Sequence, residues 1–235
     1  MDKTGLNFAN CVFSVLTVLL INGCASNVIS IDTKDSVSFS TLETSIPLSK
    51  QRTDRIKVRG SRASGDYSQV VPDGKMIIIE DTQIHGPANV SGTTDLTYAS
   101  LSYGSEDISP GDGLMPQKLS FLVYIGLAQT NMDVTLLHEG TTYTTNDRTT
   151  ELYLQLGGAY AITPAFKAGL TWASSVGADF TGINEVDLRL GYALFSHLEV
   201  IGGYRWLEYN YLVEEDDSII RVKFRGPFIG LNIPF

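Results

Sequence analysis

Through the C-terminal half of the chain, apolar and polar residues alternate one for one, the period of a strand with one face turned to an apolar environment. From Glu185 to Phe195 the even positions Val186, Leu188, Leu190, Tyr192 and Leu194 are apolar, against Glu185, Asp187, Arg189, Gly191, Ala193 and Phe195 on the odd ones. The next run sets Leu198, Val200, Gly202, Tyr204 and Trp206 against Glu199, Ile201, Gly203, Arg205 and Leu207. Earlier, Leu152, Leu154, Leu156, Tyr160 and Ile162 oppose Glu151, Tyr153, Gln155, Gly157 and Ala159, and Phe166, Ala168, Leu170 and Trp172 oppose Lys167, Gly169, Thr171 and Ala173. Each run reaches the roughly 9 to 11 residues that a tilted strand needs to cross a bilayer.

The connections alternate as well. Thr163-Pro164 and Ser196-His197 are tight turns, whereas Leu137 to Thr150, Ser174 to Asn184 and Val213 to Ser218 read as longer polar loops. Short turns at one end and long loops at the other predict an antiparallel up-and-down transmembrane β-barrel. Upstream, Leu119, Phe121, Val123, Ile125 and Leu127 make an ascending strand that continues toward Leu137, Asp95 to Tyr103 makes another, and Met76-Ile77-Ile78-Ile79 reads as the first. The expected fold is therefore all-β with eight strands, or ten if the segment before residue 73 supplies a further hairpin.

The last strand breaks the pattern. Ile229, Leu231, Ile233 and Phe235 are apolar on odd positions, but Ile220, Val222 and Phe224 are apolar on even ones. A β-bulge at Gly226-Pro227 would restore a common face. Alternatively, the upper part stands beyond the hydrocarbon, with Arg221, Lys223 and Arg225 at the level of lipopolysaccharide phosphates.

An apolar-faced strand that ends on Phe resembles the closing strand of bacterial outer-membrane barrels. The resemblance implies that Ile229, Leu231, Ile233 and Phe235 form the signal read by the barrel-assembly machinery. Residues 73–235 as a whole are similar to small outer-membrane barrels such as the transmembrane domain of outer-membrane protein A. Met1 to Ile21 carries an apolar run, Val12 to Ile21, of signal-peptide length and too short to span as a helix. Ile21-Asn22-Gly23-Cys24 then resembles a lipobox, which implies a signal peptide over 1–23, acylation of Cys24 and, from Ala25, sorting to the outer membrane. Ordinary cleavage after Ala25 is the alternative. The only other cysteine, Cys11, lies inside the apolar run, so a mature chain would hold no internal disulfide.

Residues 24–72 read as a polar periplasmic segment. Its basic cluster, Lys50, Arg52, Arg55, Lys57, Arg59 and Arg62, is expected either to contact anionic lipid or cell-wall polymer, or to form a solvated linker or an extra strand pair that includes Arg55 to Arg59. The formal net charge of −9 argues against a general nucleic-acid binder. Mean hydropathy of +0.04 is no argument against a membrane barrel, in which every second residue is apolar.

Glu151, Lys167, Glu185, Asp187, Arg189, Glu199 and Arg205 fall on the inward face of the predicted strands, where they are expected to pair as a structural charge network. Catalytic signals are sparse. Lipid A deacylases and acyltransferases are similar in outline, but His138-Glu139-Gly140 lacks the His-x-Ser-Asn arrangement of the deacylases, leaving only His138 with Ser174 or Ser175 as a candidate pair. No metal-ligand spacing, phosphate loop or dinucleotide motif occurs, and no cofactor is expected. The expected function is a non-enzymatic outer-membrane barrel with a structural or surface-recognition role. Its expected partners are outer-membrane lipid, lipopolysaccharide and the assembly machinery, and its lipid anchor would lie on the periplasmic side. The alternatives are a narrow channel, a lipid-modifying hydrolase and a periplasmic lipocalin-like lipoprotein whose apolar face points inward.

Overall fold

The computed structural model describes residues 28–33, 37–48, 54–79, 82–106, 119–177, 181–213 and 218–234. Every regular element among them is a strand. Nine strands close a barrel: β2 (Ser38–Pro47), β3 (Asp54–Val71), β6 (Ala88–Glu106), β7 (Leu119–His138), β8 (Thr141–Ala161), β9 (Phe166–Val176), β10 (Gly182–Phe195), β11 (Leu198–Val213) and β12 (Ser218–Pro234). Neighbours along the chain pair antiparallel, and the seam is a parallel pairing of β12 with β2, from Phe228 opposite Phe39 to Pro234 opposite Ser45. Higher on the same edge of β12 lies β1 (Val28–Asp32), also parallel, from Val28 opposite Ile219 to Asp32 opposite Lys223.

This corrects the eight-strand antiparallel expectation, and neither is the count ten. The segment before residue 73 does supply a hairpin, β2–β3, so the division between a periplasmic segment and a barrel at residue 72 does not hold. Met76–Ile79, expected as the first barrel strand, instead pairs with Thr82–His85 as a separate hairpin, β4–β5. Its run of isoleucines lacks the polar alternation of a wall strand because it is buried: Ile77, Ile79 and Ile84 join the core at one end of the barrel, with Tyr143 of β8 packed against it.

The supposed long loop from Leu137 to Thr150 is also strand. β7 and β8 run as 20- and 21-residue arms to a two-residue turn at Glu139-Gly140, where φ is 47° and 80°. Positive φ at both positions is the twist-matching geometry of a tight hairpin.

The seam sets the direction of the termini. Pro234 and the end of β2 share one rim, here called the C-terminal rim, whereas Val28 starts at the opposite end. Cys24 and residues 1–23 lie outside the described residues.

Candidate functional site

The barrel changes polarity part-way up. Near the C-terminal rim the outward residues are apolar and exposed, among them Leu42, Val58, Leu101, Ile125, Leu127, Leu152, Leu170, Leu188, Leu190, Ile229 and Leu231. Further up the same strands the outward residues turn polar: Leu42 gives way to Ser40, Val58 to Arg62, Leu127 to Gln129, Leu152 to Thr150, Trp206 to Glu208 and Pro227 to Arg225. The inward residues make the opposite change. Glu43 and Thr41 give way to Phe39, Arg59 and Ser61 to Ala63, Thr130 to Met132, Val134 and Leu136, and Arg205 to Leu207 and Tyr209, all buried. We call the lower half the stem and the upper half the head.

Strand β12 shows why no bulge is needed. Its pairing with β11 keeps one register from Glu199 opposite Asn232 to Val213 opposite Ser218. Even positions from Ile220 to Gly230 point inward throughout, and odd ones from Arg221 to Leu231 point outward. The side-chain faces therefore never switch; what switches is which of the two faces carries the apolar residues. Gly226 sits where the N-terminal strand crosses closely, since a Cβ there would lie 1.9 Å from the Val37 carbonyl oxygen. Of the expected assembly-signal residues, Ile229 and Leu231 are exposed outward, Ile233 is half-buried and Phe235 lies outside the described residues.

The edge of the apolar band is marked by aromatics. Trp172 and Trp206 point outward at its upper boundary, and the Trp172 indole donates to Asn184 Oδ1 at 2.8 Å, the first polar outward group above it on the neighbouring strand. Tyr204 packs beside Trp206 with ring centroids 4.7 Å apart. Tyr103, Tyr160 and Tyr192 are exposed toward the other edge. Paired aromatic belts of this kind flank the hydrocarbon-facing band of membrane barrels.

Inside the stem, an ion cluster fills the lumen. Arg205 grips Asp187 through two bonds, Nε to Oδ1 at 2.6 Å and Nη2 to Oδ2 at 2.8 Å, and donates from Nη1 to Ser61 (2.6 Å) and Thr41 (3.0 Å). Arg59 reaches Glu185 at 2.6 Å, Asp187 at 3.1 Å and Glu43 at 3.1 Å. Glu43 also accepts from Arg189 at 2.7 Å and meets Lys57 at 3.1 Å. Tyr98 donates to Glu185 Oε2 at 2.5 Å. The Phe228 ring lies 4.8 Å from the Arg205 guanidinium and 5.9 Å from that of Arg189, and the Phe39 ring 5.3 Å from Arg205. Arg59, Arg205, Glu43, Glu185 and Asp187 are at most 1% exposed, so each charge depends on its partners in place of water.

Of the residues expected inward, the cluster brings together Glu185, Asp187, Arg189 and Arg205 but not the other three. Glu151 stands apart, accepting from Thr149 at 2.5 Å and from Ser175, whose own Oγ accepts from the Ile183 amide. Lys167 is exposed near the C-terminal rim. Glu199 there accepts from Asn232 at 2.9 Å. Both line a cavity of about 120 Å³ that ends against Glu43, Lys57 and Arg189.

Three central members, Glu43, Lys57 and Arg59, were not assigned to the interior from sequence. Of the alternatives for the basic cluster, the fold realises the extra strand pair, β2–β3; burial of Lys57 and Arg59 removes them from lipid contact, and Arg55 turns inward to Glu106 at 3.6 Å. Arg62 alone of the described cluster members faces outward, while Lys50 and Arg52 lie outside the described residues. The signal was present: Ile56 and Val58 alternate with Arg55, Lys57 and Arg59 in the same dyad that marked the later strands.

The head core is apolar and its few polar groups are neutral or paired. Burial pushes the Tyr67 phenol upward, and burial together with the bond to Asp147 at 2.6 Å does the same for Tyr209. The candidate hydrolase pair is not assembled. His138 is opposite Thr141 and Ser175 opposite Tyr153, twelve residues apart on β8, about 40 Å at ~3.3 Å per residue. Among the described residues there is no group of three metal-ligating side chains.

No family profile, curated protein or solved structure matches this chain.

Proposed function

We propose that the chain is a non-enzymatic outer-membrane β-barrel whose stem lies in the bilayer and whose folded head stands above it as a structural or recognition surface. The observation that carries this reading is the ring at which both faces invert. A band that is apolar outside and ionic inside suits lipid around the stem, and a polar skin over an apolar core suits water around the head. A lipocalin-like reading would require an apolar lumen with room for a ligand, but the stem lumen holds Arg59, Arg205 and Asp187, and the head core is filled by its own side chains. The same filling speaks against a channel. With the C-terminus on the periplasmic side, the head and the start of β1 face outward.

The test is gel mobility of the protein from isolated outer membranes, boiled against unboiled in mild detergent, together with alkaline extraction. A heat-dependent shift and retention in the membrane pellet are expected. Release at high pH with no shift would overturn the reading.

A further inference from the structure

On the lipid-facing side of the seam, just above the apolar band, we propose a binding site for the phosphate of an anionic lipid headgroup; the site rests on the membrane reading above. The unbroken register of β12 puts Arg221, Lys223 and Arg225 on one outward face, directly above Pro227, Ile229 and Leu231. Arg225 lies opposite Trp206, at the upper edge of the band. Two strands away, Arg62 of β3 holds the same boundary, and the positions of β2 between them are the small, exposed Ser38 and Ser40. The small positions Ser38 and Ser40 are thus flanked by Arg225 on one side and Arg62 on the other. Below them lie Leu42 and Ile229, 55% and 67% exposed. A headgroup phosphate and its acyl chain match that order of charge above and hydrocarbon below.

The cations are only loosely engaged by protein. Asp32 meets Arg225 at 3.6 Å and Lys223 at 3.9 Å, and Asp95 meets Arg62 at 3.5 Å. Arg225 and Arg62 are 58% and 67% exposed at the side chain. Exposed pairs at such distances hold a cation weakly, which leaves guanidinium donors free for the bidentate geometry that phosphate oxygens offer. Arg221 is better engaged, by Glu208 at 3.0 Å and Asn210 at 3.0 Å. Arg225 with Arg62 therefore forms the centre of the site, and Lys223 adds charge.

The test is native mass spectrometry of the full chain released from phosphatidylcholine nanodiscs doped with phosphatidylglycerol. The protein should retain phosphatidylglycerol in preference to phosphatidylcholine. Retention should fall at least tenfold when Arg221→Gln, Lys223→Gln and Arg225→Gln are combined, and measurably with Arg62→Gln alone, while the heat-dependent gel shift persists in both variants. Unchanged retention in both variants overturns the site. Displacement of the lipid by an equal concentration of inorganic phosphate would mean a soluble-anion site and overturn the lipid assignment. A chain that never enters nanodiscs and shows no gel shift would defeat the membrane reading itself, and the site with it.

Discussion

Stem and head are built from the same strands but solve opposite solvation problems. On β7, outward Ile125 and Leu127 are followed by Gln129, Asn131 and Asp133, while inward Tyr124, Ala128 and Thr130 are followed by Met132, Val134 and Leu136. No residue is inserted to make this change and no register slips. The strand geometry is indifferent to polarity, and the surroundings decide which face must be apolar. In the stem the outward face is apolar and the lumen is held by ion pairs that specify one arrangement, the division that the proposed hydrocarbon surround would require. In the head the outward face is polar, and an apolar core capped by Ile77, Ile79 and Ile84 of the β4–β5 hairpin holds the strands together.

Substitutions at matched positions can break this comparison. The largest effect is expected at Arg205 in the stem lumen: Arg205→Ala strands Asp187 without its bidentate partner, and removing one member of a buried pair costs about 3–5 kcal/mol. Urea unfolding in detergent micelles measures it, and retained stability with altered conductance in planar bilayers would show that the cluster lines a path rather than a plug. In the head, Leu136→Ala should cost about 2–5 kcal/mol as an apolar cavity opens. The same unfolding curve checks this, and a negligible loss would mean that the head core is not packed as described.

Charge placed outside should discriminate the halves more finely. Leu188→Arg puts a cation into the apolar band and should destabilise by about 2–4 kcal/mol in lipid. Asn146→Arg, also outward but on the head hairpin, should stay within ~0.5 kcal/mol. Equal costs at the two positions, measured by unfolding from vesicles, would erase the boundary between stem and head.

The stem wall was legible in the sequence because its outward face is continuous: Val186 to Leu194 and Leu198 to Trp206 alternate along the whole apolar band. The head was less legible for the same physical reason that makes it a head. Where the apolar face moves inside, the parity of the apolar positions flips, and at Phe224 that flip imitates a one-residue bulge. The polar outward arms of β7 and β8 imitate a loop, since threonine and asparagine on a solvated strand face resemble loop composition. The ion cluster was half legible. Glu185, Asp187, Arg189 and Arg205 sit among strong apolar neighbours, but Glu43 and Arg59 belong to a hairpin with fewer large apolar residues, and only the parallel closure of β2 on β12 brings them to the same lumen.

The seam also shows what local patterning cannot carry. A parallel contact between the first and last barrel strands joins residues such as Phe39 and Phe228 that are far apart in the chain, and no turn dictates it. Without β2, the ends β3 and β12 would run antiparallel, so the ninth strand is an insertion that brings Glu43 into the cluster.

The chain's two tryptophans, Trp172 and Trp206, both mark the ring between stem and head, which makes their fluorescence a direct reading of it. The measurement is quenching of the folded protein in vesicles whose lipids carry bromine at defined acyl positions. If the stem is embedded to that ring, bromine near the headgroup end of the chain will quench strongly and bromine near the bilayer centre weakly. Emission untouched by every brominated lipid, yet quenched by aqueous acrylamide, would contradict the account, because the apolar band would then have no bilayer around it.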